Sequence, residues 1–212
     1  MRTLARVAGA SASFAICLSG CSHSKPTVSP LEQSVIEAAL SQCSFIPSNR
    51  DHILYHETSV QTLWLGEPSY EQFANKLRKE AAYKRRDVRE AVEDFVVKNR
   101  SDIELVFPRR LPTNTHLLTS SLEKNLASAM TSKNDLTNLT LRYNAFRRRF
   151  PNATHLVMIS RPGFDSQATT ALLCVSVRAD IRGGGAILIF RRVDGKWLIQ
   201  NSDVDLEHSW VS

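Results

Sequence analysis

A change in hydrophobic period divides this chain and limits the folds open to it. Phe73, Leu77, Ala81, Val88, Val92 and Phe95 recur at helical steps, or sums of them, and form one stripe. Leu136, Leu139, Tyr143, Phe146 and Phe150 keep a helical period up to Pro151. From His155 the period switches to short apolar runs punctuated by turn residues. Helices come mostly first and strands last. That order predicts an α+β fold, with N-terminal helices packed on one face of a C-terminal antiparallel β-meander.

Local signals place the elements. A short helix is predicted from about Leu31 to Cys43, with Val35, Ile36, Ala39 and Leu40 on its apolar face. A strand is predicted over residues 52–65, rich in β-branched and aromatic types. After Pro68, Ser69 and Gln72 stand at capping-box spacing, so the long stripe reads as one helix closing at Asn99. Pro108 and Pro112 bracket a loop. Ser120 and Glu123 repeat the capping-box spacing and open a pair of helical segments. Four strands are then expected: residues 156–159, 170–178, 185–193 and 196 to about 203, the last two joined by the hairpin dipeptide Asp194-Gly195. A hydrophobic content of 42% with 23% charged residues suits a folded domain.

The first 20 residues have a different character. Arg2 and Arg6 precede an apolar run from Val7 to Leu18, and Ser19, Gly20 and Cys21 follow. A membrane-spanning helix needs about 20 apolar residues, so this run is short for one. Charge, short apolar core and small-residue exit are the parts of a signal peptide. Leu18-Ser19-Gly20-Cys21 resembles the lipobox of bacterial lipoproteins. The resemblance implies cleavage before Cys21 and acylation of its thiol, with Ser22 in the next position matching outer-membrane sorting in Gram-negative cells. An ordinary secretory signal and an uncleaved anchor are the alternatives. The lipobox is preferred because the match sits at the cleavage position. The expected organisation is a signal peptide over 1–20, a tether over 21–31 containing Pro26 and Pro30, and a single α+β domain over 32–212.

Processing alters the charge and cysteine accounts. The formal charge of +6 falls to +4 when Arg2 and Arg6 leave. Of four cysteines, Cys17 leaves, Cys21 takes lipid, and Cys43 and Cys174 remain. An oxidising compartment permits a Cys43–Cys174 bridge. The alternative is that Cys174, within Ala171-Leu172-Leu173-Cys174-Val175, acts as a small hydrophobe.

A second resemblance covers roughly residues 90–212. Phe150-Pro151, Ile159-Ser160-Arg161-Pro162-Gly163-Phe164, Ala171-Leu172, Gly183-Gly184-Gly185, Gly195-Lys196-Trp197 and Trp210-Val211-Ser212 look like the C-terminal part of a family of exported bacterial proteins of unassigned activity. Asp94-Phe95 and Lys98-Asn99 join that pattern. Where the family carries cysteines beside its glycine run, this chain has Ile181 and Arg182. A cystatin-like or NTF2-like cone has a similar order of helices and sheet.

Chemistry-bearing motifs are sparse. His52 and His56, with Asp51 and Glu57, form the one compact cluster of metal-capable residues, but they lack the His-Glu-x-x-His order of a metallohydrolase. An exposed strand with incidental histidines is the preferred reading. Gly183-Gly184-Gly185 lacks the following helix and Lys-Ser/Thr pair of a phosphate loop, and reads as a turn, a bulge or a close backbone approach. No Gly-x-Ser-x-Gly elbow is present, and Ser160, Arg161 and Asp165 at one turn do not make a triad. Seven cations lie between Lys76 and Arg89; Lys79, Arg85, Arg86 and Arg89 are candidates for contact with an anionic surface, against a solvated helix face. Trp64, Trp197, Trp210 and Phe164 are candidate contact anchors, with core packing as the alternative.

These readings converge on a lipid-anchored envelope protein, facing the periplasm from the outer membrane if the cell is Gram-negative. Its expected role is a binding or interaction module. Its partners are the membrane through the lipid, then an envelope protein or anionic head groups. No cofactor and no nucleic acid are expected. A hydrolase or small-ligand enzyme with a cleft at the sheet end is the alternative.

Overall fold

Ser29 begins the first helix with a reciprocal cap. Its hydroxyl accepts from the Glu32 amide at 3.2 Å, and the Glu32 carboxylate accepts from the Ser29 amide at 2.7 Å. Pro30 follows in the first turn, where the missing N–H leaves no helical bond unmade. Helix α1 therefore runs Pro30–Gln42 and buries Val35, Ile36, Ala39 and Leu40. The computed structural model describes residues 27–44, 46, 50–55, 69–101, 105–119, 121–122, 148–179, 182–200 and 210–211. Cys21, His56, Trp64, most of the expected 52–65 strand and the two expected helical segments between 120 and 150 lie, wholly or almost wholly, outside them. The domain begins earlier than expected: Val28 is buried and its amide donates to the Val106 carbonyl at 3.1 Å.

The long stripe is not one helix. Tyr70–Ala81 (α2) and Arg86–Lys98 (α3) are separated by a turn in which the Lys84 amide bonds the Ala81 carbonyl. The fold-back lets both halves cover the same patch of sheet. Phe73, Leu77, Val88, Val92 and Phe95 pack with Leu172, Cys174, Ile187 and Ile189. The Phe73 and Phe95 rings meet edge-on at 6.5 Å, and the Tyr70 hydroxyl reaches the Val96 carbonyl. Periodicity registers the stripe but carries no sign of the fold-back, because that choice is made by the surface the stripe covers. Ser69 caps α2 and Asn99 caps the end of α3, both as predicted.

Among the described residues, eight strands form one sheet: β1 Asp51–Tyr55, β2 Thr115–Leu118, β3 Ala153–Ile159, β4 Gly163–Phe164, β5 Thr170–Ala179, β6 Arg182–Val193, β7 Lys196–Ile199 and β8 Trp210–Val211. The order is β2-β1-β3-β5-β6-β7, with β4 beside β5 and β8 beside β6. The predicted antiparallel meander is present as β3-β5-β6-β7. Asp194 and Gly195 turn its last hairpin with φ of 48° and 78°, the left-handed pair a two-residue loop requires. The glycine run is not a turn. Gly183 to Gly185 lie inside β6 opposite Ser176–Arg178, and Gly195 is the only positive-φ glycine among the described residues.

The helices occupy both faces of the sheet, not one. Ala171, Leu173, Val175 and Val177 face α1, whereas Leu172 and Cys174 face α2 and α3. A strand covered on both sides is apolar at every position, and the run from Ala171 to Val175 has that composition. Strand β1 is parallel to both its neighbours. Parallel partners come from distant chain positions, so no turn signal announced them.

Candidate functional site

The segment Ser160–Phe164, together with Asp94, Phe95, Lys98 and Asn99, is assembled at one place. The Ser160 hydroxyl accepts from the Cys174 amide at 2.8 Å. The Asn99 side chain binds both backbone groups of Arg161, accepting from its amide at 2.8 Å and donating to its carbonyl at 2.9 Å. Arg161 extends its guanidinium to the other layer, where Nε and Nη2 donate to Glu32 Oε1 at 3.0 and 2.8 Å. Glu32 is 3% exposed, so this ion pair is largely shielded from water. Gly163 sits against α3. A Cβ there would lie 2.3 Å from the Ala91 carbonyl oxygen and 2.3 Å from the Phe95 nitrogen.

Three carboxylates of α3 complete the assembly. Asp94 accepts from the Phe164 amide at 2.8 Å. Glu90 accepts from the Ser166 amide at 3.1 Å and its hydroxyl at 2.7 Å. Asp87 accepts from the Thr170 hydroxyl at 2.8 Å and from Arg191. The Ser166 hydroxyl and amide, followed by Arg86, hold Glu90 well below the usual carboxylate range, at about 2. Asp165 closes the turn by accepting from the Thr169 and Thr170 amides, each at 2.7 Å. Ser160, Arg161 and Asp165 therefore join elements. Their chemistry in place is hydrogen bonding, and the spacing of Asp87, Glu90 and Asp94 was the available sign of it.

The histidines gather on β1, β2 and β3. His52 is 1% exposed, against the expected exposed position, and its Nε2 lies 2.8 Å from Thr115 Oγ1. Thr115 and His155 are its register partners. Burial lowers the His52 pKa below its ordinary value; the Arg50 backbone opposes this in part. His155 is lowered likewise, by burial and then by Arg50. On the other face, His116 Nε2 lies 3.1 Å from Asp51 Oδ2, and its ring stacks on Phe150 at 5.0 Å. A groove of about 590 Å³ beside β2 is lined in part by Phe107, Arg110, Leu111, Thr115 and His116. Thr115 and His116 were missed because their strand follows two prolines. Among the described residues no group of three or more His, Cys, Asp or Glu is placed to hold a metal ion.

Cys43 and Cys174 are buried in separate clusters, Cys43 with α1 and Cys174 with α2 and α3. The structure does not bring them together. Burial pushes the Cys174 thiol up to about 12, so it stays protonated. Trp197 is a core residue whose Nε1 donates to Ser34 at 3.0 Å, and Phe164 packs beside it. The basic candidates are distributed along the helical hairpin: Lys79 in the last turn of α2, Arg85 at the N-cap of α3, Arg86 and Arg89 on α3. Arg86 pairs with Glu90 at 2.7 Å, Arg85 with Asp87 at 3.5 Å, and Arg89 donates to the Lys84 carbonyl at 3.2 Å. No helix among the described residues is long and apolar enough to cross a membrane. No protein-family model, no curated protein and no solved structure matches this chain.

Proposed function

We propose that this chain is a lipid-anchored domain of the bacterial cell envelope that works by binding. In this reading Cys21 carries the lipid, and the domain faces the periplasm from the outer membrane if the cell is Gram-negative. The observation that carries it is the division of polar groups. Glu32, Asn99, Ser160, Arg161 and Asp165 are engaged in joining the layers, while the excess of cations stands on the surface of the α2–α3 hairpin. Both faces of β5 are filled by apolar side chains. The Leu18–Cys21 resemblance supplies the address. Metabolic labelling with a fatty acid tests the anchor: wild-type chain takes the label and Cys21→Ser does not. An unlabelled wild-type chain overturns it. Cross-linking in intact cells tests the binding role, and recovery of the uncross-linked monomer alone counts against it.

A second reading rests on Thr115, which lines the groove beside β2, and on His52, which contacts its hydroxyl from outside that lining. A neutral histidine 2.8 Å from a hydroxyl can take its proton as that oxygen adds to the carbonyl of an activated ester, and return it to the departing alcohol or phenol as the old C–O bond breaks; water then releases the acid from the threonine. Hydrolysis of activated esters that is lost in both Thr115→Val and His52→Gln supports this reading. Equal rates in parent and variants remove it.

A further inference from the structure

The charge of this protein is concentrated in one hairpin. Residues 76–90 contain seven cations and three carboxylates, which equals the whole +4 excess of the chain after Arg2 and Arg6 are removed. The rest of the chain after residue 20 is neutral on balance. At the tip of the hairpin Tyr83 is 92% exposed, more than any other described large hydrophobic side chain; Val97 follows at 61%. Lys84, Arg85 and Arg86 come directly after it. Asp87 and Glu90 divide their oxygens between the tip and the body: Asp87 pairs with Arg85 and Glu90 with Arg86. Asp87 is turned to Thr170 and Arg191, and Glu90 to Ser166. The side chains of Arg85 and Arg86 remain 75% and 84% exposed.

We propose that the α2–α3 tip is a docking surface for the anionic head groups of the bilayer that holds the chain's own anchor. This rests on the lipid-anchored reading above. The cations supply attraction to head-group phosphates, and the Tyr83 ring supplies the amphipathic body that settles at the head-group level. The geometry allows both attachments at once. Glu32 at the start of α1 is bonded to Arg161, and Arg161 to Asn99, so the chain enters near the far end of α3 from Tyr83. The 13 residues of α3 separate the two ends by about 20 Å. The chain from Cys21 to Thr27 spans up to about 24 Å when extended. The chain enters from the α1 face of the sheet, opposite the hairpin, and the length of the tether lets the domain lie along its hairpin with the tip on the bilayer.

The test uses the full chain with Cys21→Ser, which removes the acylation site and leaves the tip intact. Flotation with vesicles of about 30% phosphatidylglycerol is compared with flotation on neutral phosphatidylcholine. Arg2→Gln and Arg6→Gln are carried in the parent and in every variant, so the leader adds no side-chain cation that separates the two vesicles, and the ratio is the readout. The expected ratio is about tenfold or more at low salt, collapsing toward one near 0.5 M salt. Lys84→Glu/Arg85→Glu/Arg86→Glu should abolish the ratio, with a circular dichroism melt as folding control. Tyr83→Ala, which alters no charge, should weaken anionic binding about threefold and leave its salt dependence unchanged. A ratio near one in the parent, or an unchanged ratio in the triple variant, overturns the proposal. So does heparin binding as tight as vesicle binding with no response to Tyr83→Ala, which would assign the tip to a soluble polyanion. Fatty-acid labelling of wild-type Cys21 is read separately, so the anchor and the tip fail independently.

Discussion

The two faces of the sheet are fastened by different chemistry. On the α1 side, neutral amides act as substitute backbone. Gln33 accepts from the Arg109 amide and donates to its carbonyl, at 3.0 and 3.1 Å. Gln42 does the same along β7, donating to the Trp197 carbonyl at 2.8 Å and accepting from the Ile199 amide at 3.1 Å. On the other side, Asp94, Glu90 and Asp87 take successive groups of the 164–170 segment along one stripe of α3. Arg161 joins the two systems, with its backbone held by Asn99 and its guanidinium by Glu32. The bonds of Gln33 and Gln42 to the backbone involve groups that do not titrate, whereas the bonds of Glu90 to Ser166 are made by a carboxylate held at about 2.

The largest effect is expected where α3 approaches the sheet without a gap. Gly163→Ala puts a methyl group 2.3 Å from fixed backbone, and the cost should reach about 3 kcal/mol or more. Chemical denaturation measures it; a midpoint within error of wild type would mean that α3 can move away. Next comes the link between the faces. Glu32→Ala leaves the Arg161 guanidinium largely buried without its carboxylate, at roughly 3 kcal/mol. In a double-mutant cycle, adding Arg161→Met should recover part of that loss; simple additivity would show that the pair does not couple the layers.

A smaller loss is expected from the amide side. Gln42→Ala frees the Trp197 carbonyl and the Ile199 amide and should cost about 1–2 kcal/mol. It also uncovers the backbone of edge strand β7, so weak self-association should rise in sedimentation velocity. The smallest effect separates the faces by pH. Glu90 is held down at about 2, so its bonds to Ser166 contribute fully above its unfolded value of 4.5 and are lost as pH falls toward 2. Hydrogen exchange at Ser166 should accelerate through that window while Ile199 does not respond. Glu90→Gln should flatten this part of the pH profile. Equal acceleration at both positions would mean that acid opens the faces together.

Legibility followed the range of the interaction. Ser69, Asn99 and the Asp194-Gly195 hairpin were readable because each signal and its effect lie within a few residues. The Ser29–Glu32 capping box was equally local and equally available. The break at residues 82–85 was not readable, since the Phe73–Phe95 stripe continues in register across it. His52 was expected on an exposed strand because spacing along a strand reports a shared side and not the depth of burial. Its hydroxyl partner, Thr115, is 63 residues away.

Local composition thus determined the α+β class, the capped helices, the antiparallel meander and the store of positive charge. Those properties depend on side-chain type, backbone preference and short-range period. Tertiary structure decided the rest: helices on both faces, β1 parallel between β2 and β3, and the role of Ser160 to Phe164 as a fastening between layers. It also bonded Asp87 and Glu90 to Thr170 and Ser166 while Arg85 and Arg86 stayed exposed. Each of these depends on which distant backbone groups and apolar patches are brought within contact, and that is set by burial, which no short stretch of chain encodes alone.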